Sequence, residues 1–199
     1  MPDLVLTTLL VVANVFGAGM IVPQLVRVRR TRNLNGLSLP WVGVGIALNV
    51  CWGAYAVGAQ VWGVLPVSIA GTALYGAIAA TAVPLHPAGV RAVAAGAAGA
   101  TIAPAVGLAI GGWTTAGIAM GLSYGVQFAP AAFEAARAEL VDGVSPTTWV
   151  MAAIEAAIWL VYGVEVADAA LLIGGAGGLL MSILILGQLA STSPRLATR

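Results

Sequence analysis

The residues best suited to chemistry lie on two segments that share an aromatic spacing. Glu155, Trp159 and Tyr162 follow one another at i, i+4 and i+7, so one helix face carries all three. Trp52 and Tyr55 repeat the aromatic part of this pattern earlier in the chain. Facing indole rings are suited to gripping the apolar faces of a sugar or another compact polar solute. We therefore expect Trp52 and Trp159 to line a central cavity.

Glu155 stands out because it lies in the middle of a long apolar run. A carboxylate at the centre of a membrane costs roughly 2.5 to 3.5 kcal/mol, so it must face the protein interior or a water-filled path. Asn49 lies on nearly the same face of the earlier segment and is suited to complement it. Two interpretations stay open: a protonated Glu155 bonded to a neighbouring helix, or a carboxylate that acts on a substrate or a proton.

Catalytic and metal-binding groups are sparse. His86 is the single histidine and Cys51 the single cysteine, and neither has sequence neighbours suited to catalysis or metal binding. The run from Gly174 to Gly178 lies inside an apolar segment, so it is not a nucleotide-binding loop. We expect no metal and no cofactor, and an enzyme is the least expected class because no nucleophile and base pair is found at membrane depth.

Composition defines the elements that must position these residues. Of 199 residues, 60% are hydrophobic and 8% are charged, with a net charge of +1. So few charges cannot cover a water-facing surface, which excludes a soluble enzyme, a disordered tail and a nucleic-acid binder. The sequence predicts an all-α integral membrane protein with the lipid bilayer as its surroundings and no nucleic-acid partner.

A spanning helix with its turn needs roughly 28 residues, so the chain has room for about seven spans. The apolar segments predict these spans at Leu4 to Val26, Leu39 to Val57, Trp62 to Val83, Arg91 to Ile110, Trp113 to Phe133, Pro146 to Val164 and Val166 to Ala190. The eight basic residues are all arginine, which excludes a retinal protein that needs a Schiff-base lysine.

The arginines predict the orientation. With the N-terminus outside, all eight face the cytoplasm and the opposite side holds none. We interpret the cluster from Arg27 to Arg32 as this topology signal, in preference to an anionic-lipid or regulatory site. The prediction is an N-out, C-in protein of the cell membrane, and its short loops are typical of a bacterial inner membrane.

The chain contains an internal repeat with an offset of 107 residues (130 − 23). This shift superposes Pro23 on Pro130 and Trp52 on Trp159, while Glu155 falls on Leu48. Spans one to three and five to seven therefore form two copies, with span four as a linker, which is a 3+1+3 plan of two parallel repeats. The predicted divisions are 1–84, 85–111, 112–190 and a cytoplasmic tail at 191–199.

Prolines and their neighbours mark the same points in both copies. Pro23 and Pro130 interrupt the first helix of each copy and predict a shared hinge. Ser38 and Ser145 lie where the N-caps of the second helices belong. Pro146 occupies the first position of its helix, and Pro40 lies just inside the other.

These residues resemble a known family. Pro23-Gln24, the turn Thr31-Arg32-Asn33 that leads to Gly36-Leu37-Ser38, and Trp52-Gly53-Ala54-Tyr55 are similar to the PQ-loop superfamily. Within it, the 3+1+3 plan resembles the SWEET sugar transporters and their half-size SemiSWEET relatives of the MtN3/saliva type. The resemblance covers nearly the whole chain, although the second copy has Ala129-Pro130-Ala131 and lacks the glutamine.

The resemblance implies a role for each matching residue. The residues that would form the cytoplasmic hinge are Pro23, Gln24, Pro40, Pro130 and Pro146. Trp52 and Trp159 would be the pocket tryptophans, and Tyr55 and Tyr162 would close an extracellular gate. The pocket asparagine of the third helix falls on Gly71 and Gly178, so Asn49 and Glu155 are candidates to replace it.

The expected function is facilitative transport of a small polar solute, a mono- or disaccharide by preference, through alternating access. The alternative is a proton-coupled carrier of amino acids or other cationic solutes that uses Glu155. A non-transporting membrane receptor or assembly protein is a third class, less favoured by the paired tryptophans. Two repeats already make a complete pathway, so a monomer suffices, and a homo-oligomer is the other arrangement considered.

Overall fold

The computed structural model describes residues 3–34, 37–137 and 146–196, with the side chains of 124–137, 146, 148 and 191–196 left aside. These residues form an all-α protein. The helices are α1 (Asp3–Gly19), α2 (Val22–Thr31), α3 (Leu39–Gly58), α4 (Leu65–Ala82), α5 (Gly89–Arg137), α6 (Pro146–Glu165) and α7 (Ala169–Leu196). Short 3-10 helices at Trp62–Val64 and Val83–Leu85 flank α4.

Five helical stretches among the described residues are long and apolar enough to cross a membrane. They are Asp3–Thr31, Leu39–Gly58, Trp62–Leu85, Gly89–Ser123 and Ala169–Ala190. Many of their large apolar side chains are exposed, which a bilayer can accommodate and water cannot. The protein is therefore membrane-embedded.

The first apolar stretch is broken where the sequence predicts an interruption. α1 ends at Gly19 and α2 begins at Val22, with Pro23 as its second residue. Proline has no N–H for the preceding turn, and its ring clashes with the carbonyl four residues back, so the helix restarts here. Leu25 of α2 then packs with Val42, Tyr75 and Ile78 in a buried cluster.

The start of α3 is capped as its sequence predicts. The Ser38 hydroxyl accepts a hydrogen bond of 3.3 Å from the Trp41 N–H, and Pro40 follows at the second helical position. A cap of this kind satisfies one of the free N–H groups of the first turn.

Two glycines bring α3 and α5 into backbone contact. A Cβ at Gly43 would collide with the Val93 carbonyl, and a Cβ at Gly96 would collide with the Pro40 carbonyl.

The long helix α5 reverses direction at a pair of glycines. Gly111 and Gly112 leave helical geometry, and Gly112 has a φ of 68°, a conformation that glycine adopts without strain. A Cβ on Gly107 would lie 3.0 Å from the Ala116 nitrogen, nine residues further along. In a straight helix these positions would be about 13 Å apart, so the two segments fold back on one another.

The helical hairpins α3–α4 and α6–α7 are related by the repeat offset. α3 spans 39–58 and α6 spans 146–165, which is a shift of 107 at both ends. The turns that follow also match: Gln60 (φ 59°) and Ala167 (φ 52°) both adopt the left-handed conformation. The same backbone hydrogen bond also closes both turns. The Ala59 N–H donates to the Tyr55 carbonyl in the first turn, and the Val166 N–H donates to the Tyr162 carbonyl in the second.

The chain forms two compact units. The first unit is Gly17–Met120, which holds α2, α3, α4 and the first segment of α5. The second unit joins Met1–Phe16 to Gly121–Arg199 and holds α6 and α7. Each hairpin with its tryptophan and tyrosine therefore lies within one unit.

Candidate functional site

The first unit contains an open groove between α3 and α4 with a volume of ≈ 330 Å³. It is lined by Asn49, Val50, Gly53, Ser68, Ile69, Thr72 and Ala73. Three of these side chains are polar, and each donates to the backbone carbonyl four residues earlier, with distances of 2.8 Å for Asn49 and Thr72 and 2.9 Å for Ser68. The groove is thus an apolar surface with a few polar atoms fixed along it.

Asn49 and Gly71 are in direct contact within this unit. A Cβ on Gly71 would collide with the Asn49 Oδ1, so the asparagine side chain fills the space that another residue at 71 would take. The Asn49 amide donates one hydrogen to the Gly45 carbonyl at 2.8 Å. An amide group has two donors and one acceptor, so a second donor and the Oδ1 atom are left for another partner.

The aromatic pair of α3 is extended by a third ring that the sequence did not indicate. The Trp52 and Tyr55 rings meet edge to face, with centroids 5.7 Å apart. On its other side Tyr55 meets Trp113, at the start of the second α5 segment, at 6.4 Å. Gly58 makes room for this indole, since a Cβ there would collide with Trp113. Tyr55 is 3% exposed and packs within the unit near the end of α3; its role as a gate stays a prediction.

In the second unit, Glu155 and Trp159 form a buried hydrogen-bonded pair. The Trp159 indole N–H donates to Glu155 Oε1 at 3.0 Å. Glu155 is 4% exposed, and its second oxygen, Oε2, has no hydrogen-bond partner among the described residues. Trp159 also contacts Tyr162, with ring centroids 6.2 Å apart. A buried carboxyl group with one unpartnered oxygen is costly in a folded protein, which makes Glu155 the candidate functional residue of this unit.

The contact between α6 and α7 sets the register around this pair. A Cβ on Gly163 would lie 2.9 Å from the Leu172 nitrogen, and one on Gly175 would lie 2.9 Å from the Ala156 carbonyl. Gly175, Gly178 and Ser182 follow at i, i+3 and i+7 and so share the α7 face that meets α6. Ser182 is 1% exposed, and within the described part of the chain its hydroxyl oxygen is unpartnered.

The predicted site residues thus fall into two groups. Asn49, Gly71, Trp52 and Tyr55 lie together in the first unit, and the residues of the second unit are Glu155, Trp159, Tyr162 and Gly178. Trp52 and Trp159 lie in different units. That their rings face one another across a central cavity stays a prediction.

The predicted hinge residues are spread along the helices. Pro23 and Gln24 are in the first turn of α2, and Pro40 is in that of α3. Pro130 lies within α5 and Pro146 begins α6, but their side chains are outside the described part. Gly36 and Ser145, the other predicted turn and cap residues, lie outside the described residues altogether.

Sequence reasoning missed Trp113, Ser68, Thr72 and Ser182. The spacing of Ser68 and Thr72, four residues apart on an otherwise apolar helix, was a readable signal of a polar face. Ser182 aligns with Tyr75 under the repeat offset. The replacement of a large aromatic ring by a hydroxyl group was therefore a sequence signal for Ser182.

Within the described residues, no three or more His, Cys, Asp or Glu side chains gather in a way that could hold a metal ion. Comparison of the chain with protein-family models, curated proteins and solved structures finds no match.

Proposed function

We propose that this protein is a membrane transporter that carries a small polar solute by alternating access, with a mono- or disaccharide as the favoured substrate. One observation carries the proposal. α3 and α6 have matching bounds and are followed by turns that share a left-handed residue, and each holds a polar side chain at nearly the same level along its own helix, Asn49 in α3 and Glu155 in α6. Polar groups at this depth are costly and mark substrate or ion pathways in membrane proteins.

The architecture we propose is the 3+1+3 plan with seven spans. The reversal at Gly111 and Gly112 supports a division of α5 into a linker span and the first span of the second copy. The matching bounds of α3 and α6 support two copies of one unit. The arginine distribution supports an external N-terminus and a cytoplasmic C-terminus.

The groove between α3 and α4 supports a small solute. Its volume of ≈ 330 Å³ is at the lower end of the range of small-molecule sites, which begins near 300 Å³. Gly71 has no side chain, and the Asn49 amide lies in the space beside it. α3 can therefore supply the hydrogen-bonding group that a sugar needs. Trp52, one turn further along α3, would offer an indole ring to the apolar face of that sugar.

Counterflow in proteoliposomes tests the proposal. Vesicles are preloaded with glucose or sucrose, and entry of the labelled sugar is followed at equal pH on both sides. We expect saturable entry that Trp52→Ala abolishes while the helical circular dichroism is unchanged. Trp62→Ala is the matched control, because Trp62 is 55% exposed and the repeat offset aligns it with Ala169, not with a second tryptophan. Equal transport by both variants would remove Trp52 from the proposed pathway.

A second candidate is a proton-coupled carrier of amino acids or other cationic solutes. It is favoured by the buried Glu155, whose Oε2 is unpartnered among the described residues and could take a proton or pair with a cation. An inward proton gradient would then accelerate uptake, and Glu155→Gln would abolish that acceleration. Uptake that ignores the gradient in both proteins would leave the facilitator as the remaining candidate.

A further inference from the structure

One end of the first unit carries a concentration of positive charge without any opposing carboxylate in its sequence. Four arginines lie in and just after α2, at positions 27, 29, 30 and 32, and a fifth, Arg91, lies in the first turn of α5. The sequence contains no aspartate or glutamate between Asp3 and Glu134. Residues 17–120 therefore contribute basic groups alone at this end.

Packing brings these arginines to the same end of the unit. Val28 of α2, Leu39 of α3 and Ala82 of α4 form a buried cluster, and Ala92 and Val93 of α5 pack against it. The beginning of α5 is thereby held beside α2. All five arginines are exposed on the outside of this cluster. The result is a fixed basic surface, which we call the arginine end.

The arginine end lies where apolar stretches of spanning length terminate. Asp3–Thr31 ends among the arginines, and Gly89–Ser123 begins beside Arg91. Val26 and Val22, about one and two turns before Arg29, are 39% and 41% exposed. Apolar side chains next to exposed guanidinium groups are typical of the boundary between acyl chains and head groups, where arginine extends its charge toward the surface.

We propose that the arginine end binds anionic phospholipid head groups. A guanidinium presents a planar fork of donors that matches two phosphate oxygens, which suits it to this ligand better than a simple point charge. Several such groups fixed on one packed surface can hold more than one head group at once.

An orientation signal requires a bias of arginines toward one side of the membrane, and lipid binding by these arginines is compatible with that signal. Under the repeat offset, the positions of Arg27 and Arg32 are occupied by Glu134 and Glu139 in the second copy. Arg30 falls on Arg137, so one of these four arginines is present in both copies and the other three are confined to the first.

The test measures stabilisation of the detergent-solubilised protein by phosphatidylglycerol, with phosphatidylcholine as the neutral lipid. We expect phosphatidylglycerol to raise the melting temperature saturably and sodium chloride to weaken the effect. Arg29→Gln combined with Arg30→Gln should weaken the apparent affinity by roughly fivefold per arginine, about 30-fold in all. Arg195→Gln combined with Arg199→Gln removes the same charge from the tail and should leave the affinity unchanged.

The possible outcomes distinguish lipid binding at the arginine end from other causes of stabilisation. An equal loss in both double variants, or an equal response to the two lipids, would overturn the proposal. Glycerol 3-phosphate should give no shift, and a shift equal to that of the lipid would show a free-anion site instead. If the α2 double variant does not fold, the salt titration of the unmodified chain decides: stabilisation that is lost at high salt supports the arginine end, and stabilisation that persists excludes it.

Discussion

Replacing Gly71 with alanine tests the contact between α3 and α4 directly. The new Cβ would collide with Asn49 Oδ1 and would lie 2.6 Å from its Cγ and 2.9 Å from its Nδ2. The asparagine side chain would therefore rotate away and lose its hydrogen bond to the Gly45 carbonyl. A lost hydrogen bond costs about 1 kcal/mol and overpacking costs about 1 to 3 kcal/mol, while alanine gains roughly 1 kcal/mol over glycine in a helix. We expect Gly71→Ala to lower the free energy of unfolding by about 1 to 3 kcal/mol.

A double-mutant cycle assigns this loss to Asn49. In an Asn49→Ala background the collision is absent, so Gly71→Ala should be neutral or stabilising by up to about 1 kcal/mol. The coupling between the two positions is then about 2 kcal/mol, measured by denaturant titration of the solubilised protein. Gly76→Ala in the same helix is the control and should be tolerated, because nothing lies within 4 Å of a Cβ there. A coupling below about 0.5 kcal/mol would show that Asn49 does not occupy the space beside Gly71.

Two further substitutions test other parts of the structure. Glu155→Gln keeps an oxygen for the Trp159 N–H and removes a buried charge, so the free energy of unfolding should rise by roughly 1 kcal/mol. A fall in the free energy of unfolding would contradict the description of Glu155 as a buried group whose Oε2 lacks a partner among the described residues. Ser38→Ala removes the α3 cap and should destabilise by about 1 kcal/mol in the same titration, whereas Thr7→Ala, an exposed threonine in α1, should change little. Equal effects of these two changes would argue against the cap.

The sequence predicted those features that depend on local chemistry. Ser38 and Pro40 mark the start of α3 because capping and the missing proline N–H act within one turn. The break before Pro23 and the reversal at Gly111 and Gly112 follow from backbone restrictions in the same way. The shared face of Glu155 and Trp159 is likewise set by helix periodicity, and the observed hydrogen bond joins them.

Contacts between helices were not predictable in this way. That the side chain of Asn49 would meet Gly71, or that Trp113 would reach Tyr55, depends on the crossing angle and register of neighbouring helices. An apolar sequence constrains these weakly, because in a membrane nearly every face is apolar and periodicity no longer separates core from surface. Local sequence signals therefore predict where helices begin and end. The contacts that form the candidate site depend on how the helices pack, and the sequence alone does not predict them.

The matching turns at Gln60 and Ala167 bear on how this protein can change over evolutionary time. Both positions hold a left-handed backbone without glycine, so this geometry persists although the residues differ. A duplicated unit that keeps its turns preserves the spacing of its helices while individual side chains diverge, as Leu48 and Glu155 have done. Such a chain can acquire a charge in one copy while the other maintains the scaffold. New side-chain chemistry can then arise by single substitutions, without redesign of the fold.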